Sequence, residues 1–191
     1  MIDKIIWFIK TNLFYRFRFR KIGLITYIGK PLHIYGGKRI IIGNKVRIFP
    51  GLRIEVHNKG KIVIGDNISI GQNLHLTSSN EELKIGKDTT ISGNVLITNM
   101  DHDYTEIDVH IQDQKYIVKT TKIGDNCFIG FGSVIQAGTI LGKHCVIGAN
   151  AVVRGIFPDY SVIAGSPAKI LKRYNPAVKE WQRTDKTGKF I

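Results

Sequence analysis

Along residues 123–153 an aliphatic side chain returns at every sixth position: Ile123, Ile129, Ile135, Leu141, Ile147 and Val153. Four residues after each of the first five stands a small side chain: Cys127, Ser133, Thr139, Cys145 and Ala151. A helix repeats every 3.6 residues and a strand every 2, so neither produces this beat. The pattern predicts a solenoid, in which each short segment buries its apolar residue only by stacking on the next coil. Three such segments make a three-sided coil of eighteen residues, about one turn per three beats. Six consecutive hits with matched small residues argue against a β-sandwich spaced this way by chance.

The beat runs upstream through Ile85, Ile91 and Ile97, then Ile64, Ile70 and Leu76, then Ile42, Ile48 and Ile54. Ile28 and Ile34 read as an irregular first coil, and Ile163 as the opening of a last partial one. Coil starts therefore fall at 42, 64, 85, 123 and 141. The 38-residue step from 85 to 123 exceeds one turn by twenty residues, which predicts a long excursion over residues 99–121. Long loops on a regular scaffold commonly carry function. Gly43-Asn44-Lys45, Gly65-Asp66-Asn67 and Gly124-Asp125-Asn126 supply the turn-forming residues expected at corners. The short Ile/Val-rich sides suit buried parallel strands.

Charge separates the ends from the middle. The formal charge is +13 over 191 residues, but residues 1–40 carry nine Lys/Arg against one acid, and residues 154–191 carry eight against three. Residues 1–27 read as a basic, aromatic helical segment ahead of the coils, and 171–191 as a short basic C-terminal helix or tail flanking a solenoid over 28–170. The helical segment suits either an anionic membrane surface, through residues 1–21, or a cap on the first coil that packs on a neighbouring subunit. No nucleic-acid motif accompanies the charge. No stretch approaches the ~20 apolar residues of a membrane span, and no secretory signal is evident. The expectation is a cytoplasmic protein, peripheral at the inner membrane face. Cys127 and Cys145, eighteen residues apart, should be stacked core thiols rather than nucleophiles or a disulfide.

Three segments carry a resemblance. Ile123-Gly124-Asp125-Asn126-Cys127-Phe128-Ile129-Gly130, Ile147-Gly148-Ala149-Asn150-Ala151-Val152-Val153 and Ile163-Ala164-Gly165-Ser166-Pro167-Ala168-Lys169 resemble the hexapeptide-repeat acyltransferases. The closer likeness is to maltose and galactoside O-acetyltransferases and bacterial polysaccharide O-acetyltransferases. It covers about residues 28–175 and is most specific between 97 and 173. The resemblance implies an all-β fold, a left-handed parallel β-helix, which departs from the usual right-handed crossover. It also implies a homotrimer with acetyl-CoA bound in the groove between neighbouring subunits.

Thr98-Asn99-Met100-Asp101-His102-Asp103-Tyr104 resembles the family's catalytic loop, which makes His102 the candidate general base. An imidazole near neutrality can take a hydroxyl proton as the oxygen attacks a thioester. The resemblance implies direct transfer in a ternary complex, with a backbone N–H stabilising the oxyanion. It places the Ala149 amide at the pantetheine arm, Phe131 at another main-chain contact position with the coenzyme, and Arg154 and Gly155 near the pantetheine end and adenine. Lys169 and Lys172 fall near the 3′-phosphate and pyrophosphate, where clustered cations are apt. Gln72, Asp103 and Tyr104 are acceptor-site candidates, and Asp101 or Asp103 could orient the His102 ring. Phe128 replaces a frequent tryptophan. Asp103 replaces a proline common in the small-sugar enzymes, and that departure turns the reading towards the polysaccharide and sugar-nucleotide branch. The remaining histidines, His33, His57, His75, His110 and His144, read as structural or solvated, and His102 with His110 makes a poor zinc site. The expected function is acetyl-CoA-dependent O-acetylation of a sugar hydroxyl in surface polysaccharide (capsule, O-antigen or exopolysaccharide) synthesis, with no metal. N-acetylation of a nucleotide-linked amino sugar and a non-catalytic binding scaffold are the alternatives.

Overall fold

The computed structural model describes residues 2–191. Three parallel sheets form the faces of a prism, each built from short strands of successive coils. On the first face Ile22, Ile42, Ile64, Ile85 and Ile123 stack in register, and Leu141 and Phe157 follow on the same sheet. The second face stacks Ile28, Ile48, Ile70, Ile91, Ile129, Ile147 and Ile163. The third stacks Ile34, Ile54, Leu76, Ile97, Ile135 and Val153. A two-residue strand points one side chain in and one out, so one apolar residue per side suffices for a core. All of these ladder residues are buried. Each contributes roughly 1.5–3 kcal/mol through removal from water.

Corners hold residues that tolerate left-handed backbone. Asn67, Asn73, Asp88, Asn94, Asn126 and Asn150 all have positive φ. Their side chains link coil to coil, as in the 2.8 Å bond donated by Asn67 Nδ2 to Asp88 Oδ1. Gly65 is required by close approach, since a Cβ there would lie 2.8 Å from the Lys87 backbone nitrogen. The extra residues between Ile54 and Ile64, between Leu76 and Ile85, and in the excursion after Ile97 all fall at one corner, where the third face turns into the first.

Three features differ from the sequence reading. Stacking starts at Lys21–Ile22, one side earlier than Ile28. Ile163 does not open a coil but sits on the second face, paired with Ile147. The corner after Val153 is short, turned by Gly155 at φ +125, so the last coil is opened by Phe157. The C-terminus is not a helix. Ala168–Asn175 pairs antiparallel with Ser161–Gly165, and Glu180–Arg183 pairs with it in turn. The last parallel strand would otherwise expose a row of unpaired backbone groups, and the hairpin covers that edge.

At the other end, the helix Ile2–Leu13 lies against Tyr27–Ile28. Thr11, fully buried, accepts the Ile28 N–H through Oγ1 at 2.8 Å and donates to the Trp7 carbonyl at 2.7 Å. Trp7 packs on Tyr27 and Phe49, with ring centroids 6.0 and 5.9 Å away. Among the described residues no helix is long and apolar enough to cross a membrane.

Candidate active site

His102 ends a strand, Met100–His102, that pairs antiparallel with Tyr116–Val118. The excursion is thus a hairpin, and His102 lies directly opposite Tyr116 with ring centroids 4.7 Å apart. Its root is Asn99, which is fully buried. Asn99 Oδ1 accepts the Ser79 N–H at 2.8 Å, and Nδ2 donates to Ser78 Oγ and the Ser79 carbonyl, both at 3.2 Å. The Asn99 carbonyl accepts the Lys119 N–H at 2.9 Å, closing the hairpin's base. Gln114 tightens the tip: its Nε2 donates to the Glu106 and Val109 carbonyls, each at 3.0 Å, and its Oε1 accepts the Glu106 N–H. Asn99, Gln114 and Tyr116 were not singled out from sequence, because their roles depend on partners across the excursion.

The His102 Nδ1 is buried and has no hydrogen-bond partner among the described residues. Neither neighbouring acid orients the ring. Asp101 Oδ1 accepts the backbone N–H of His102 at 3.0 Å, and Asp103 Oδ1 accepts the Thr105 N–H and hydroxyl. The Thr105 hydroxyl hydrogen bond, with the Thr105 amide, holds the Asp103 carboxyl below the usual range. Tyr104 is exposed beside it.

The other candidates fall into columns. Gln72, Phe131 and Ala149 occupy the corner between the second and third faces. Phe131 and Ala149 are on successive coils, linked by the Asn150 N–H to Phe131 carbonyl bond at 2.8 Å, and Gln72 lies two coils before Phe131. Gly148 and Ala164 keep the surface beside Ala149 low, since a Cβ on Gly148 would meet the Ala164 Cβ at 2.8 Å. Arg154 and Gly155 stand at the opposite edge of the third face, at the same corner as the excursion. Within one chain, therefore, His102 shares a corner with Arg154 and Gly155 but not with Phe131 and Ala149, which lie across a face roughly 15 Å wide.

Lys169 and Lys172 are three apart, a spacing that would put them on opposite sides of a regular strand. A register shift corrects this: Ile163 pairs with Ile170 and Val162 with Lys172, which leaves Leu171 as an extra, bulged residue. Ile163 points inward, while its neighbours Val162 and Ala164, the partners of Lys172 and Lys169, point outward. Both lysines consequently share the outer surface of the second face. Arg183 stands directly opposite Lys172 on the last strand. Like charges in directly opposed positions are unfavourable without a counter-anion, so the three cations make a phosphate-compatible patch.

The third face below the hairpin is polar on its outside. Tyr35, Glu55, Thr77 and Thr98 pair in register, column by column. Glu55 is buried, with Arg53 Nε at 2.6 Å and His57 Nε2 at 3.2 Å. Burial works against its ionisation, but hydrogen bonds from Arg53 and His57 outweigh it and hold the carboxyl below the ordinary glutamate range. Burial, then the nearby Arg53 charge, pushes His75 down. Because the folded pKa of Glu55 is depressed, its contribution is present at neutral pH and is lost on acidification through that folded value. We expect the melting-temperature gap between wild type and Glu55→Gln, measured by circular dichroism, to be largest near pH 7 and to close below about pH 4. A gap independent of pH would show that Glu55 acts by shape alone.

Cys127 and Cys145 are free, buried and adjacent; the Cys145 interaction and burial push the Cys127 thiol up, which opposes a thiolate. No group of three or more His, Cys, Asp or Glu with metal-binding geometry occurs among the described residues.

Residues 120–155 match the family described as bacterial transferase hexapeptide (six repeats). The chain is 35% identical over 129 residues to WbbJ of Escherichia coli strain K12, a candidate lipopolysaccharide biosynthesis O-acetyl transferase; the match covers 62% of this chain and 63% of that protein. It is 35% identical over 128 residues to the galactoside O-acetyltransferase of the same strain, covering 63% and 61%. The chain thus spans under two thirds of the length of these curated relatives. In fold it matches a mutant of AntD, an N-acyltransferase from Bacillus cereus in complex with dTDP and coenzyme A, with a TM-score of 0.68, 18% identity and coverage of 85% and 88%. The six-residue ladder, the three-faced parallel β-helix and these relatives agree in likening the chain to the hexapeptide-repeat transferases, with the repeat itself matched over residues 120–155.

Proposed function

We propose that the protein is an acetyl-CoA-dependent O-acetyltransferase that modifies a sugar hydroxyl of a surface-polysaccharide precursor. The observation carrying this reading is a histidine on a pinned hairpin, whose buried Nδ1 is unpartnered among the described residues, on a solenoid that also presents a patch of Lys169, Lys172 and Arg183. In this scheme His102 accepts the acceptor's hydroxyl proton as the oxygen attacks the thioester carbonyl. The tetrahedral intermediate then collapses with loss of the CoA thiolate, to which His102 returns the proton. No acyl-enzyme forms in this scheme, in keeping with the burial of Cys127 and Cys145 in the core.

The separation of the two corners within one chain supports a homotrimer in which the Phe131 and Ala149 edge of one subunit faces the His102 edge of the next. The adenosine end of acetyl-CoA would run to Lys169 and Lys172, with Arg154 and Gly155 on the way. The acceptor would approach over the third face, where Thr77, Thr98 and Glu55 offer polar contacts close to the hairpin; Gln72, Asp103 and Tyr104 stand at its margins. WbbJ's name favours a lipopolysaccharide-type acceptor over a free disaccharide.

The test is calorimetric titration with acetyl-CoA followed by acceptor turnover. One site per subunit and acetyl transfer to hydroxylated sugars support the reading; transfer to amino sugars alone would replace it with N-acetylation, and no binding would leave a scaffold. We further expect the combined Lys169→Ala and Lys172→Ala substitutions to weaken acetyl-CoA binding about ten-fold or more, with a smaller loss for dephospho-CoA. Equal losses for both ligands would remove the lysines from the 3′-phosphate.

A further inference from the structure

We propose that the outward face of the N-terminal helix, together with Phe14 and Phe17, docks the protein onto an anionic lipid bilayer. The helix is amphipathic in an unusual sense, because its apolar stripe is not the side that packs. Trp7 and Thr11 face the solenoid and cap the first coil. Ile2, Ile5, Ile6, Ile9 and Leu13, spaced at helical intervals on the other side, are 75%, 55%, 41%, 49% and 59% exposed. Phe14 and Phe17 continue the surface at 63% and 71%. Capping therefore accounts for the Trp7 and Thr11 side alone and leaves the aliphatic stripe without a role inside the chain.

The first coil adds a second, independent sign. Ile25 adopts φ +55, where the corresponding corners of later coils hold Lys45, Asn67, Asp88, Asn126, His144 and Tyr160, none of them β-branched. A β-branched residue in left-handed backbone is strained, and Ile25 is exposed along with its neighbour Leu24, so nothing within the fold rewards the choice. Strain kept for an exposed apolar side chain fits a surface that is covered when the protein works.

Charge selects the partner. Around this end Lys10, Arg18, Arg20, Lys21 and Lys30 are exposed, against one acid, Asp3, while Lys4 turns back over the Phe49 ring. Two copies placed face to face would oppose their own cations, whereas an anionic bilayer complements them. An apolar stripe rimmed by Lys and Arg is the form that lies in the lipid interface. Each basic residue at such a surface tightens partitioning about five-fold.

Membrane docking is measured without any acyl transfer, so its outcome is independent of the enzymatic reading. The full-length protein is floated with vesicles of phosphatidylglycerol and phosphatidylcholine, and with vesicles of phosphatidylcholine alone. Binding to the anionic vesicles that weakens as salt is raised, and falls about ten-fold or more in Ile6→Glu/Ile9→Glu, is the expected result. Circular dichroism and acetyl-CoA titration on that variant should match wild type, since both residues point away from the solenoid. Absence of flotation, equal binding to neutral vesicles, or unchanged binding in the variant would overturn the proposal. So would a loss of subunit association in the variant by light scattering with lipid binding intact, which would assign the face to a second copy of this chain.

Discussion

His102→Ala should lower the rate of acetyl transfer by about two to four orders of magnitude while leaving acetyl-CoA affinity nearly unchanged. The imidazole sits at the end of a hairpin strand, opposite Tyr116, and its replacement removes one cross-strand contact worth roughly 0.2–1 kcal/mol. That is too little to unfold a solenoid whose ladder residues are buried along all three faces. The hairpin itself is held from its root by Asn99 and from its tip by Gln114, not by the ring. A loss of activity in His102→Ala is therefore chemical. His102→Gln sharpens the test, because the amide keeps hydrogen-bonding capacity but cannot take the acceptor's proton. Both variants should melt within a few degrees of wild type by circular dichroism, and both should titrate with acetyl-CoA at wild-type stoichiometry. Transfer within about three-fold of wild type in either one would remove His102 from the base's role. A strong loss in Ala with full activity in Gln would make it a binding residue.

The ladder was legible because each side of a coil has one inward position, and Ile64, Ile85 and Ile123 occupy it whatever the loops between them do. The beat fails where a corner changes length. Phe157 arrives early and is aromatic, so its pairing beside Leu141 is hidden from a six-residue count. The C-terminal strands were invisible for a related reason. Their alternation is broken by the bulge at Leu171, so Lys169 and Lys172 look helical in spacing although the bulge turns both outward. Arg183 joins them through antiparallel register, which no local pattern carries. For the N-terminal segment, the basic and aromatic composition suggested the helix but not its orientation, because Thr11, a polar residue, is the one that accepts the Ile28 amide. His102 was found by its motif. Its supports were not, since Asn99 and Gln114 are polar loop residues whose burial follows from chain folding alone.

Asn99→Leu is the expected structural counterpart to the His102 variants. The two side chains are similar in size, so the substitution alters bonding with little change in volume. Asn99 satisfies the Ser79 N–H at 2.8 Å, the Ser78 hydroxyl and Ser79 carbonyl at 3.2 Å, and more weakly the Glu81 carbonyl at 3.4 Å. Ser78 and Ser79 are themselves fully buried, so water does not replace these partners. Leaving buried polar groups unpaired costs roughly 1–3 kcal/mol each, and the serine hydroxyl retains bonds to the Lys61 and Glu81 carbonyls. The net loss should be about 3–5 kcal/mol, a large share of a typical domain's stability. At this chain length that lowers the melting temperature by about 10 °C. Thr120→Ala is the matched control, since its hydroxyl donates to Glu81 Oε2 at 2.8 Å on the exposed surface and should cost under about 0.5 kcal/mol. Because the Asn99 backbone also accepts the Lys119 N–H that closes the hairpin, loss of the side-chain anchor on the same residue should loosen the excursion before the coils melt. Limited proteolysis within residues 99–121, and a transfer rate reduced well below the melting temperature with acetyl-CoA binding retained, would register that loosening. A melting temperature within about 2 °C of wild type would mean that the hairpin is anchored elsewhere and that the buried amide is not what holds His102 in place.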